Sequence, residues 1–433
     1  MVVRGWGATR YRTCEKSRGL LGQGLSAFRF ALVLAVLLGG VGCSGRGCSG
    51  DPLNASATLP AHVELDLIAA GARCEAVSQS DYGGREVRVH RQCWAQPADV
   101  DALVAVVQSA VAHALPMRVR GRGHSTNAAT LAFPGEVLLD TRGLRRVCRV
   151  APERIAVGAG AGMTALQAAL DAVGGAVPVI NGGGPGPSVG GFVSAGGFGP
   201  GSETHGGFWQ TVTRVALVDG TGRYVEFSRD DEVFGYLFGS VGQLGVIAEV
   251  EIVLLVKDEG RMASHFGVGA CMVVEEELLP LDRPDDSDAR LYWWTLFVPA
   301  LEAQVAAEEL RRIASEGVGE RFAIVETFSM PLPDRGAFAP LVVPAAGDMV
   351  AVGMLGRSAG VEGDTSYRED VARMEARFSA WVERRGGRRY LPAELPRGAA
   401  IYRANWGEAV WERFREVKAD LDPQGLFGRG TVF

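Results

Sequence analysis

The sequence predicts a mixed α and β fold in two parts, and three observations carry that prediction. Helical and strand patterns alternate between Pro97 and Leu255, a glycine- and proline-rich stretch interrupts them at 182–207, and the residue texture changes after Lys257. A chain of 433 residues suits one large or two ordinary domains. Hydrophobic residues make up 47% and charged ones 22%, which excludes disorder as a global description. The 59 glycines are roughly twice the usual share, so the backbone must approach something closely.

At the start of the chain, Arg4, Arg10, Arg12, Lys16, Arg18 and Arg29 face only Glu15 within residues 1–42. The body is therefore more acidic than the net charge of −6 suggests. An acidic body argues against a nucleic-acid partner, whose phosphates need a basic face, and favours a small-molecule substrate. The basic segment runs into the apolar Phe30–Gly42, which is shorter than the roughly 20 residues of a membrane span. Residues 1–42 read as an export signal and 43–60 as a flexible tether. Small residues directly before Cys43 resemble a bacterial lipoprotein cleavage site, although Gly40 stands where that pattern prefers leucine. Cys43 is thus a candidate lipid anchor, with cleavage and release, or an uncleaved anchor, as the other outcomes. The expected location is exported: on the membrane as a lipoprotein, or periplasmic or extracellular.

Cys14 lies in this leader and Cys48 in the tether, while Cys74, Cys93, Cys148 and Cys271 belong to the body. None of them has zinc or redox-centre spacing. Export would allow a Cys74–Cys93 disulfide; buried thiols are the other reading.

Along the body, Val100, Leu103, Val104, Val107 and Val111 recur at helical spacing behind Pro97 and Asp99. Met117–Arg120 reads as a short strand, followed by strands near Glu136–Asp140 and Arg154–Val157 and a helix near Met163–Val173. The stretch 182–207 has too many glycines and prolines for a helix or central strand and reads as loop. Strand patterns return at Val212–Val218, Tyr224–Phe227 and Val246–Leu255. Beyond Lys257 come aromatic strands at Leu291–Val298 and Phe322–Phe328. A helix follows, with Ser366 and Glu369 as a capping box and Gly386 as its stop, then a final helix over Trp406–Leu421. These give domains over 61–256 and 257–395, with a tail over 396–433.

Two separated glycine-rich loops suit a phosphate-bearing ligand, because bare backbone N–H groups can reach phosphate oxygens. Gly158-x-Gly160-x-Gly162 misses the dinucleotide fingerprint, which argues against a nicotinamide enzyme of the Rossmann type.

Four blocks, in order, resemble the flavoprotein oxidoreductases of the vanillyl-alcohol oxidase type, with their FAD-binding domain of the p-cresol methylhydroxylase (PCMH) type. They are Arg120-Gly-Arg-Gly-His-Ser125, Ser188-Val-Gly-Gly-Phe-Val-Ser-Ala-Gly-Gly197, Val241-Gly-Gln-Leu-Gly-Val-Ile-Ala248 and Leu421-Asp-Pro-Gln-Gly-Leu-Phe427. The first and third look nearest to the cytokinin dehydrogenase branch. The resemblance implies an α+β fold: a two-part FAD-binding domain, closed by the chain's last residues, with an inserted α+β substrate cap. It implies that Arg120, Gly121, Arg122, Gly123, His124 and Ser125 line the diphosphate and ring edge of FAD, helped by Asn127. Ser188, Gly190, Gly191, Ser194 and Gly197 would form the second wall, and Ile247 would meet the adenine–ribose end. His124 would bond covalently to the flavin's 8α carbon, and no cysteine in 194–207 offers a second link. His205 would support its loop.

The sequence departs from that branch at one chemical position. The aspartate expected six residues before Val189 is Gly183, and 181–187 contains no carboxylate, which makes cytokinin a doubtful substrate. Glu326 in an apolar strand is the candidate base, and Tyr390 and Tyr402 are candidate substrate contacts. Of Trp293 and Trp294, only one can face a pocket, since adjacent strand residues point oppositely. The expected activity is transfer of a hydride from a small alcohol, amine or sugar-like substrate to FAD, and then of electrons to oxygen or a quinone-like carrier. The alternative is a flavin-binding surface lipoprotein without turnover.

Overall fold

Asp99 starts the first long helix in the computed structural model: its Oδ1 accepts from Ala102 N at 2.8 Å, and Leu103, Val106, Val107 and Ala110 form the buried face. The structure describes residues 59–433 except 83–86, 183–185, 278–279, 282–289, 319–321, 359–364 and 394–397. The expected export signal, with Cys14, Cys43 and Cys48, lies outside the described residues.

Helix α1 (Ala61–Ala69) precedes strands β1 (Arg73–Ser80) and β2 (Val87–Ala95), then α2 (Val100–Ala112), β3 (Met117–Arg120) and β4 (Val137–Asp140). These four strands make the first sheet, in the order β1-β2-β4-β3, with parallel pairing at β2–β4 and β3–β4. The chain continues through β5 (Arg146–Ala151), β6 (Arg154–Gly158), α3 (Met163–Val173), β7 (Gly175–Ala176), α4 (Val189–Ala195) and α5 (Ser202–His205). After these come β8 (Val212–Val218), β9 (Tyr224–Ser228), α6 (Glu232–Leu237), β10 (Val246–Val253), β11 (Leu255–Val256), α7 (Glu259–His265) and β12 (Cys271–Val273). The second sheet, ordered β12-β5-β6-β10-β8-β9, is antiparallel throughout.

The third sheet follows: β13 (Arg290–Pro299), α8 (Ala303–Val318), β14 (Phe322–Leu332), β15 (Met349–Ser358), α9 (Thr365–Arg384) and β16 (Arg388–Arg389), in the order β14-β15-β13-β16. Strand alternation splits its residues between two faces. Trp294, Leu296, Val352 and Met354 pack with Leu310 and Phe378 of the helices, while Trp293 and Phe328 join the large cluster that includes α4 and the second sheet. Finally α10 (Ala399–Trp406) and α11 (Glu408–Leu421) lead into the tail.

That tail returns to the first sheet. Met117 N donates to Leu426 O at 2.7 Å and Gly428 N to Met117 O at 3.1 Å. The buried Arg118 guanidinium binds Glu136, Thr431 Oγ1 and Arg429 O. Lys418, also buried, donates to Asp422, Gln243 O and Phe427 O.

Several elements differ from the sequence reading for identifiable reasons. The stretch 182–207 is not all loop. Ser188 caps α4 by accepting from Gly191 N at 3.2 Å, Gly196 ends it at φ +70°, and burial of Val189, Phe192 and Val193 offsets the helical cost of glycine. The final helix, expected from Trp406, starts at Glu408, because Gly407 (φ +80°) separates it from the preceding α10. Residues just beyond Lys257 stay with the first part, since β12 pairs with β5 and the third sheet begins only at Arg290. Helix α9 begins at Thr365, one residue before Ser366. Cys74 and Cys93, directly opposed on β1 and β2, form a disulfide. The sequence reading missed a second, Cys148–Cys271, which crosses from β5 to the edge strand β12.

Candidate functional site

The loop after β3 turns at Gly123 with φ +68°, a conformation that glycine adopts without strain. There is also no room for a side chain: a Cβ on Gly123 would sit 2.4 Å from Arg120 Nη2. Arg120 lies behind this loop, donating to Ser80 O at 3.1 Å, Leu281 O at 2.9 Å and Thr130 Oγ1 at 3.3 Å. Burial pulls its pKa down to about 10, still cationic at neutral pH, with the nearby Arg142 adding to the effect.

In front of the loop is a cavity of about 480 Å³, a ligand-pocket size. Gly121, Arg122, Gly123, His124 and Ser125 form one wall; Ser188, Gly190, Gly191 and Ser194 form another; Gly242, Gly245 and Ile247 line it from the third glycine block. The backbone N–H groups of Arg122, Gly123 and Ser125 find no acceptor among the described residues. Orphan donors at a cavity wall are an anion-binding arrangement. The N–H groups that begin α4 are used differently: Val189 donates to Ala161 O, Gly190 to Ala159 O and Gly191 to Ser188 Oγ. The second wall therefore supplies shape, not free donors. At Gly191 a Cβ would meet only Ser188 Oγ at 3.1 Å, whereas at Gly190 it would lie 2.7 Å from the Ala159 side chain.

Residues 92–228 match the family model for an FAD binding domain. This chain carries an FAD binding domain. It is similar to an uncharacterized oxidoreductase, ORF5 in the fasciation locus of Rhodococcoides fascians, at 34% identity over 166 residues. The match covers 37% of this chain and 37% of that protein. The residues of the FAD domain fit such a cofactor: three orphan N–H groups suit its diphosphate, and the glycine-lined wall leaves room that a side chain would fill.

The imidazole of His124 sits against the ring of Tyr82, with centroids 4.0 Å apart and planes tilted by 38°. Arg122 is tied down by Glu276, at 2.5 Å, and by Gly186 O at 3.1 Å. Ser125 Oγ donates to Asn127 Oδ1 and, at 3.4 Å, to Pro392 O, while Asn127 Nδ2 donates to Leu391 O at 3.1 Å. The histidine loop of the FAD domain is thereby fastened to the segment after Tyr390.

At its other end the cavity meets the third sheet. Leu291 and Trp293 of β13, Phe328 and Met330 of β14, Leu355 and Arg357 of β15, and Tyr390 line it, with Phe198 contributed by the segment after α4. Tyr390 packs edge-on to Phe198 at 5.6 Å and to Phe297 at 5.8 Å. Burial raises its hydroxyl pKa above the ordinary value of 10.0, so the phenol keeps its proton. The buried Trp293 Nε1 has no acceptor among the described residues.

Of the residues expected to bind FAD, Arg120, Asn127 and Gly197 do not line the cavity. Arg120 and Asn127 act from behind the loop, and Gly197 is needed because a Cβ there would strike the Phe192 ring at 2.1 Å. Tyr402 is buried against Trp406, at 5.0 Å, away from this cavity, whereas Tyr390 is on its wall. Trp293 faces the cavity while Trp294 is buried behind it. The backbone of Glu326 pairs with Leu355; its side chain lies outside the described set. Sequence reasoning missed Tyr82, Glu276, Phe328, Leu355 and Arg357. They come from distant segments without motifs, and only the aromatic strand patterns at Leu291–Val298 and Phe322–Phe328 hinted at this wall.

Proposed function

We propose that this chain is an exported FAD-dependent oxidoreductase acting on a small alcohol, amine or sugar-like substrate. One observation carries the reading: a single cavity is lined by the loop with the orphan N–H groups, by His124, and by apolar side chains of the third sheet together with Tyr390. Bound FAD supplies a hydride acceptor, which the side chains of this protein lack. Arg122, Gly123 and Ser125 hold the diphosphate. Tyr390, protonated throughout the working range, donates a hydrogen bond to the substrate's oxygen or nitrogen. Glu326, whose backbone pairs with a strand residue on the cavity wall, is the proposed acceptor of the substrate's O–H or N–H proton. Oxygen or a quinone-like carrier takes the electrons.

His124 is the proposed attachment point for the cofactor. Its imidazole nitrogen, on giving up its proton, would hold the cofactor at the 8α carbon, with oxygen or the quinone-like carrier taking the two electrons that forming this bond would release. The two disulfides support an oxidising compartment and, with the basic-apolar leader, export. A lipid anchor at Cys43 remains part of the proposal.

A second reading, flavin binding without turnover, is favoured by the lack of any carboxylate among the described cavity-lining residues. Anaerobic addition of an alcohol, amine and sugar panel to the purified protein separates the two. Bleaching of the visible flavin bands supports the enzyme; unchanged colour across the panel supports the binding protein. For the linkage, flavin should stay in the acid-precipitated pellet and be lost from it in His124→Ala. Flavin in the wild-type supernatant refutes the bond.

A further inference from the structure

We infer that the substrate is a carboxylic acid with an apolar body, held by Arg357 at the cap end of the cavity. This rests on the oxidoreductase reading and adds the substrate's charge to it.

The inference begins from charge. Arg122 and Arg357 are the two guanidinium groups on the described cavity wall, and no aspartate or glutamate is among the described lining residues. Arg122 is neutralised by Glu276, with both side chains almost fully buried. Arg357 is exposed and has no hydrogen bond or ion pair among the described residues. Among the described residues, Arg357 is therefore the one guanidinium of the cavity wall without a carboxylate partner.

Register places that group beside apolar surface. Arg357 pairs with Leu291, and Leu355, two residues earlier on the same face of β15, pairs with Trp293. Phe328 and Met330 continue this wall on β14, and Tyr390 lines the same cavity. A ligand spanning the slot meets apolar side chains along its length and a planar cation at its outer end. A single guanidinium matches the two oxygens of a carboxylate. Because Arg357 is exposed, water competes for it and the expected preference is modest.

Purified full-length protein is titrated at low salt with 3-phenylpropanoate and with its neutral counterpart 3-phenylpropanamide, using quenching of tryptophan fluorescence, and flavin content is measured on the same samples. The acid should bind up to about fivefold more tightly than the amide, as one exposed charge contact allows. The preference should vanish in Arg357→Gln, survive in part in Arg357→Lys, and shrink as salt is added. Equal binding of acid and amide by the wild type, binding of neither, or an unchanged preference in Arg357→Gln overturns the inference. Flavin-free protein that still prefers the acid overturns the cofactor reading and leaves this one standing; flavin-loaded protein without the preference does the reverse.

Discussion

Arg122 Nη1 lies 2.5 Å from the Glu276 carboxylate, and the pair joins the histidine loop to the segment that follows the Cys148–Cys271 disulfide. Both side chains are more than nine-tenths buried, and Glu276 also accepts from Gly162 N at 3.1 Å. A charge left alone at such a site is costly, so Glu276→Gln should lower stability by about 3 kcal/mol. Replacing both partners with apolar residues should cost less than the sum of the single changes. Urea denaturation of the four proteins checks this; strictly additive effects contradict it.

The two disulfides should contribute unequally. Cys74–Cys93 closes a separation of 19 residues and Cys148–Cys271 one of 123. On chain entropy, losing the first should cost about 3 kcal/mol and losing the second about 4–5 kcal/mol. Urea midpoints of Cys93→Ser and Cys271→Ser measure the difference. A larger loss in Cys93→Ser contradicts the ordering.

Adjacent glycines should fail in different ways. Gly190→Ala drives a methyl into Ala159 and should destabilise the fold by about 1–3 kcal/mol. Gly191→Ala places its methyl against Ser188 Oγ on the cavity wall, so the fold should persist while flavin is lost. Melting curves and flavin content of the two variants test this. Full flavin occupancy in Gly191→Ala would show that the wall is not in contact with cofactor.

Tyr390 gives a pH signature. Burial raises its folded pKa above the ordinary 10.0, so folding keeps the proton that the unfolded chain would lose. Its stabilising contribution is present below pH 10 and declines as pH rises past that value. Tyr390→Phe should therefore make stability less sensitive to alkali, as read from melting temperatures on either side of pH 10. An unchanged alkaline slope contradicts the assignment.

The loop proposed to hold the diphosphate was legible because close approach needs glycine, and Gly121 and Gly123 around Arg122 and His124 advertise it. The same glycine-rich texture concealed α4, whose helix depends on the Ser188 cap and on burial of Phe192 and Val193, neither of which composition reveals. Arg120 and Asn127 carry a motif's residue types but work from behind, since their hydrogen bonds go to Ser80, Leu281 and Leu391. Tyr82 and Arg357 were invisible because tertiary pairing alone brings them to the cavity, and Glu276 because only the fold brings it to Arg122. The Cys148–Cys271 bond likewise follows from β5–β12 register and not from spacing.

The most direct test of the account is the flavin content of full-length protein after purification and incubation with FAD. The account predicts a yellow protein with about one flavin per chain, whose occupancy falls in Gly191→Ala. A folded protein that stays colourless, with wild type and variant alike, would contradict it.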